Sequence, residues 1–205
     1  MKDIESIKTE IASMSRLALE MFELTHQAFM EHDLDLIAQA LERETKINDL
    51  EKYITSDLIE WGRGSSKKEE RRLAGTYADV VGDLELIGDY CKDILERVQI
   101  KIEEKLLFSD EGVKEYNNLY EITANAMREI AIALEKCDLN LINEVLRKQE
   151  HIDTLVDEYR SHHNQRMLDG ACTPMGCNMY LNILDFTAAI YYHAKKIAKN
   201  LLKIK

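Results

Sequence analysis

Apolar residues recur at three- and four-residue intervals along nearly the whole chain, as in Leu17, Met21 and Leu24, or Met127, Ile130 and Leu134. This is the period of an α-helix with one buried face. The interruptions are short. "EHD" (31–33) places Asp33 as an N-cap before "LDLIAQAL". "WGRGSSKKEE" (61–70), "FSDEG" (108–112), "KCD" (136–138) and "DGACTPMG" (169–176) are the other breaks. In "FSDEG" either Ser109 or Asp110 suits a cap. These breaks predict six helices, over 3–31, 34–61, 68–105, 111–136, 139–168 and 175–203. Long helices with short connections pack as antiparallel bundles.

The pattern is used twice. "DLDLIAQALERETKINDL" (33–50) lies over "DLNLINEVLRKQEHIDTL" (138–155), with seven identities that include Asp33/Asp138, Ile37/Ile142 and Ile47/Ile152. Chance gives about one in such a window. Tyr77, Ile87, Lys92 and Ile94 likewise meet Tyr180, Ile190, Lys195 and Ile197. The expected architecture is all-α: two repeated antiparallel three-helix bundles, residues 1–107 and 108–205, packed into one compact unit.

Composition agrees and narrows the function. One proline and eight glycines in 205 residues are too few for a strand-and-turn protein. The formal net charge of −11 argues against nucleic acid and against anionic lipid as partners of the whole chain. No apolar run reaches membrane-spanning length, and "MKDIESIKTE" lacks the apolar core of a signal peptide. The chain is therefore expected in the cytoplasm or on the cytosolic face of the inner membrane, with its four cysteines as free thiols.

Candidate chemistry concentrates in acidic pairs. Glu85 and Asp89 stand one turn apart, roughly opposite the stripe Val80, Leu84, Ile87, Cys91, Ile94 and Val98, so they are expected on the bundle's surface. Glu44 and Asn48 have the same spacing on the second helix. If the two helices are neighbours, four oxygen-bearing side chains converge, which suits a hard cation or iron, manganese or zinc. Spacing alone leaves a solvated acidic face as the simpler account and a metal site as the sharper one. Gly88, at the stripe's edge, would let a neighbouring helix approach.

Other constellations are thinner. "ELTH" places Glu23 and His26 in the spacing of a di-iron ligand pair, but no second such pair exists. Cys172, Cys177, His162 and His163 lack the spacing of a closed zinc site. The basic end "HAKKIAKNLLKIK" either complements a helix dipole or docks on an acidic partner or a cytosolic membrane surface. No G-x-S-x-G, glycine-rich phosphate loop or H-E-x-x-H occurs, so an enzyme is not expected.

"DLELIGDY" (83–90) resembles the signature helix of the PhoU family, with its E-x-x-x-D pair. "ETKINDLE" (44–51) and "QEHIDTLVDE" (149–158) are similar to that family's second-helix motif. "KIEEKLLFSDEGVKEYNNLY" and "HHNQRMLDGACTP" look most like the PhoU-like domain of bacterial Na⁺/phosphate cotransporters. The resemblance implies a cytosolic, all-helical regulator of phosphate uptake and phosphate homeostasis. Its implied partner is a phosphate transporter or the transporter's signalling partner, with peripheral membrane association through that transporter and a homodimer. It also implies a metal ion (iron, zinc or magnesium) on Glu44, Asn48, Glu85 and Asp89, where Asn48 replaces the acid of the family pattern. The second repeat offers Gln149, Asp153, Ala188 and Tyr192 in the same places, and the loss of carboxylates makes a second metal site doubtful. A metal store or metal-dependent enzyme on the same carboxylates is the competing function. A free-standing protein and the soluble tail of a transporter both fit.

Overall fold

The computed structural model describes residues 2–136, 139–147, 152–170 and 174–204. Every regular element among them is helical: α1 Ile4–Glu31, α2 Leu34–Gly64, α3 Lys68–Glu103, α4 Asp110–Lys136, α5 Leu139–Arg147, α6 Ile152–Leu168 and α7 Pro174–Leu201. The expected fifth helix, 139–168, corresponds to α5 and α6, with residues 148–151 between them outside the described set. A single 3₁₀ turn, Leu202–Ile204, follows α7.

The caps lie where polar side chains can satisfy the first free N–H groups. Asp3 Oδ1 accepts from the Ser6 N–H at 2.7 Å, and Asp33 Oδ1 from the Asp35 N–H at 2.8 Å. At the fourth helix the cap is Ser109, whose Oγ accepts from the Gly112 N–H at 3.1 Å, so Asp110 becomes the first helical residue. The expected cap Asp138 lies outside the described residues. α2 runs through both glycines of "WGRG" to Gly64 and ends three residues later than the pattern predicts.

The helices α1, α2 and α3 pack on one another, as do α4, α5, α6 and α7. The two groups join along α3 and α7, the most extensive contact of the molecule, and along α1 and α4. One continuous apolar core results. Phe22 meets Tyr120 at 5.1 Å between ring centroids, and Phe29 meets Tyr116 at 4.5 Å. The whole α3 stripe from Val80 to Val98 is buried within it, Cys91 included. Each fully buried Ile or Leu there contributes about 1.5–3 kcal/mol. Gly88 lies directly on α2: a β-carbon there would stand 3.4 Å from Ile47 Cγ2. The missing side chain brings α2 close enough to α3 for their polar side chains to share one groove.

Candidate functional site

That groove holds all four expected residues. Glu44 is buried at 8% exposure. Its Oε1 accepts from Asn48 Nδ2 at 2.9 Å and from Lys92 Nζ at 3.1 Å. Asn48 Oδ1 is buried and has no hydrogen-bond partner. Burial raises the pKa of Glu85 first of all. Asp89 beside it, then Glu51 and Glu44, raise it further, and a hydrogen bond with Asp89 favours the protonated form. Glu85 and Asp89 are both half-buried. They stand at the edge of the α3 stripe, outside the core, where α2 partly covers them.

The chemistry of this donor set is one of oxygens, which suits a hard cation better than a thiophilic metal. An orphaned amide oxygen and a crowded carboxyl pair fit such an ion. Glu44, however, is already neutralised by Lys92, and among the described residues no three His, Cys, Asp or Glu side chains are grouped closely enough to hold one metal. The groove brings the four residues together without forming a closed ligand shell.

The second half closes the equivalent position with a hydrogen bond. Tyr192, at the place of Asp89, donates its hydroxyl to Asp153 Oδ1, at the place of Asn48. Burial and this carboxylate push the Tyr192 phenol up to about 12. Ala188 is buried and carries no oxygen, and Gln149 lies outside the described residues. Lys195, the counterpart of Lys92, donates to the Val145 carbonyl.

Two polar clusters went unforeseen. Asp83, 1% exposed, accepts from His193 Nδ1 at 2.9 Å and Lys196 Nζ at 2.8 Å across the α3–α7 contact. Its Oδ2 has no partner. The sequence does carry a signal: residue 83 is one helical step from Val80 and Ile87, on the buried arc, and the basic end of α7 is its partner. Glu115 gathers Arg166 at 2.7 Å, the Tyr180 hydroxyl at 2.7 Å and His162 Nδ1 at 2.8 Å. No periodicity announces that set, because its members come from α4, α6 and α7.

The remaining candidates resolve into structure. Glu23 pairs with Arg128 at 3.0 Å, and His26 hydrogen-bonds Asn117 Oδ1 at 2.8 Å while stacking on Tyr120. His162 is exposed and His163 is buried against Tyr180, so the two imidazoles point apart as their adjacency requires. Cys91 is a buried free thiol whose pKa burial pushes up. Cys177 departs from the free-thiol expectation, since it is disulfide-bonded. Cys137 and Cys172 lie outside the described residues.

Residues 11–98 match the PhoU domain. The chain is 24% identical over 156 residues to the phosphate-specific transport system accessory protein PhoU homolog of Aquifex aeolicus, covering 75% of this chain and 69% of that protein. It is 28% identical over 94 residues to the homolog of the same name in Synechocystis, where the match covers 45% of this chain and 42% of the relative. In fold it is similar to the crystal structure of PhoU from Pseudomonas aeruginosa, with a TM-score of 0.89 at 20% identity, over 98% of this chain and 96% of that one.

Proposed function

We propose, from the premise that this chain is PhoU-like, that it is an accessory regulator of phosphate uptake and cellular phosphate homeostasis. It acts by docking to a phosphate transporter or its signalling partner rather than by chemistry. The observation that carries this reading is the PhoU match over residues 11–98, set in a fold shared with a PhoU crystal structure along 98% of the chain. Two curated relatives named as accessory proteins of phosphate-specific transport support it. So does the character of the groove, where Glu44 is held by Asn48 and Lys92 and Glu85 by Asp89. No described helix is long and apolar enough to cross a membrane, and the proposed place of action is the cytosolic face of the inner membrane, reached through the transporter. The unit is read as two repeats, 1–107 and 108–205, and as a homodimer in solution. A tagged chain cross-linked in cells and recovered with the membranes tests the docking. Transporter or signalling components should co-purify with it, and their consistent absence contradicts the proposal.

A cation at Glu85 and Asp89, with Asn48 Oδ1 as a further oxygen, is a second reading. The raised pKa of Glu85 and the orphaned amide oxygen favour it. Such an ion would neutralise the crowded carboxylates and tie α3 to α2. A metal store or metal-dependent enzyme draws no support, because Glu44 is committed to Lys92. Elemental analysis of protein purified without chelator tests the cation. Stoichiometric metal that disappears in the double variant Glu85→Ala, Asp89→Ala supports it, and metal content indifferent to that variant overturns it.

A further inference from the structure

Away from the acidic groove, the C-terminal ends of α1 and α3 enclose a cleft of about 310 Å³ lined by His32, Lys101, Ile102, Lys105, Leu106 and Leu107. Two of these residues have left-handed backbone: His32 at φ 54 and Lys105 at φ 53, the only non-glycine residues with positive φ among those described. That conformation crowds a β-carbon and ordinarily selects glycine or asparagine at a helix end. Both ends are otherwise regular. The His32 N–H donates to the Ala28 carbonyl at 3.0 Å, the Lys105 N–H to Ile102 at 3.2 Å, and the Leu106 N–H to Lys101 at 2.9 Å. Glycine would close either helix with less strain, yet each position carries a basic residue that lines the cleft. Non-glycine residues held in this conformation concentrate at ligand sites.

The third basic group is the most unusual. Lys101 is 3% exposed, and among the described residues no carboxylate stands within ion-pair distance of it. Its ammonium donates to the Phe29 carbonyl at 3.3 Å and to His32 Nε2, and lies 4.6 Å from the Phe29 ring centroid. A carbonyl and a ring face temper a buried cation but do not neutralise it. In a chain of net charge −11, the cleft brings two lysines and a histidine together. The acids next to these residues in sequence are Glu31, Asp33, Glu103 and Glu104; Glu31, Glu103 and Glu104 are exposed, Asp33 is half-buried, and Glu103 accepts from Gln99. Beside these groups, Leu107 leaves 81% of its surface uncovered.

We propose that this cleft binds a small organic anion. A carboxylate or phosphate-monoester head is held by Lys101, His32 and Lys105, and a short apolar body lies against Ile102, Leu106 and Leu107. The site is separate from the docking reading above and stands or falls without it. The His32 ring resonances, followed by NMR in the full chain, report occupancy. Butyrate and butyl phosphate should each shift them saturably, the tighter of the two identifying the preferred head. Butyramide, with the body but no charge, should not. Inorganic phosphate, with the head but no body, should bind about tenfold more weakly than butyl phosphate. Lys101→Met should weaken binding about tenfold or more. Lys105→Gly should raise the melting temperature, by relieving the left-handed strain, and weaken binding about two- to fivefold. If Lys101→Met does not fold, Lys105→Gly alone decides. The proposal is overturned by no saturable shift with either organic anion, by an equal response to butyramide, by inorganic phosphate binding as tightly as butyl phosphate, or by unchanged affinity in the folded variants.

Discussion

Asp83 of α3 and His193 of α7 meet across the junction of the two halves, carboxylate Oδ1 to imidazole Nδ1 at 2.9 Å, with the acid 1% exposed. Lys196 shares the same oxygen at 2.8 Å. A carboxylate this deep depends on its donors. Removing one strands charge in a low dielectric, whereas removing both partners together need not. His193→Leu is therefore expected to cost about 2 kcal/mol in urea unfolding. The double variant Asp83→Leu, His193→Leu should cost less than the single one. A double variant that is the less stable of the two would show that the pair does more than satisfy itself.

Glu85 gives a pH dependence with a definite sign. Burial and its acidic neighbours hold its folded pKa above the ordinary 4.5, so ionising it opposes folding. Its penalty is absent below the unfolded pKa and appears as pH rises through the folded value. Glu85→Gln should therefore stabilise the protein at pH 7 by about 0.5 kcal/mol and leave it unchanged near pH 3.5. Paired urea titrations at the two pH values check this.

Gly88 and Ile47 set the distance between α2 and α3, with Ile47 fully buried and its Cγ2 3.4 Å from where a Gly88 β-carbon would stand. Gly88→Ala fits that gap and gains helix propensity, so it should change stability by less than about 1 kcal/mol. Gly88→Leu must push α2 away and should cost about 2 kcal/mol or more. Ile47→Ala opens a cavity at the same point and should cost about 2–4 kcal/mol. Thermal unfolding of the three variants ranks them.

The parts of this molecule that periodicity governs were readable in the sequence. The stripe from Val80 to Val98, the cap at Asp33 and the neighbourhood of Glu44, Asn48, Glu85 and Asp89 all follow from helical spacing plus the assumption that α2 and α3 touch. What spacing cannot supply is the partner across a long interval. Asp83 and His193 are separated by 110 residues and Glu44 and Lys92 by 48. The position of Asp83 on the buried arc was visible, but a charge on that arc reads as an outward residue until its donors are known. Lys101 misleads in the same way. It is buried because the end of α1 offers it a carbonyl and an aromatic face, a local environment that no pattern on α3 describes.

Lys101 adds a second pH dependence, opposite in sign to that of Glu85. Burial holds its ammonium near 8, against an ordinary 10.5. Between those values the unfolded chain binds the extra proton, so stability due to Lys101 rises with pH from about 8 to 10.5. The rise should be on the order of 2 kcal/mol. It should be missing from Lys101→Met, measured by denaturant unfolding of both proteins at pH 7 and pH 10. An equal rise in the two would place the titrating group elsewhere.

Phosphate uptake decides the central claim. Labelled phosphate should be followed into cells that lack this chain, into the parent, and into the deletion strain carrying the chain on a plasmid. A regulator of phosphate transport predicts that deletion changes the uptake rate and its response to external phosphate, and that the plasmid copy restores both. Uptake identical in all three strains, across phosphate-replete and phosphate-starved growth, would contradict it.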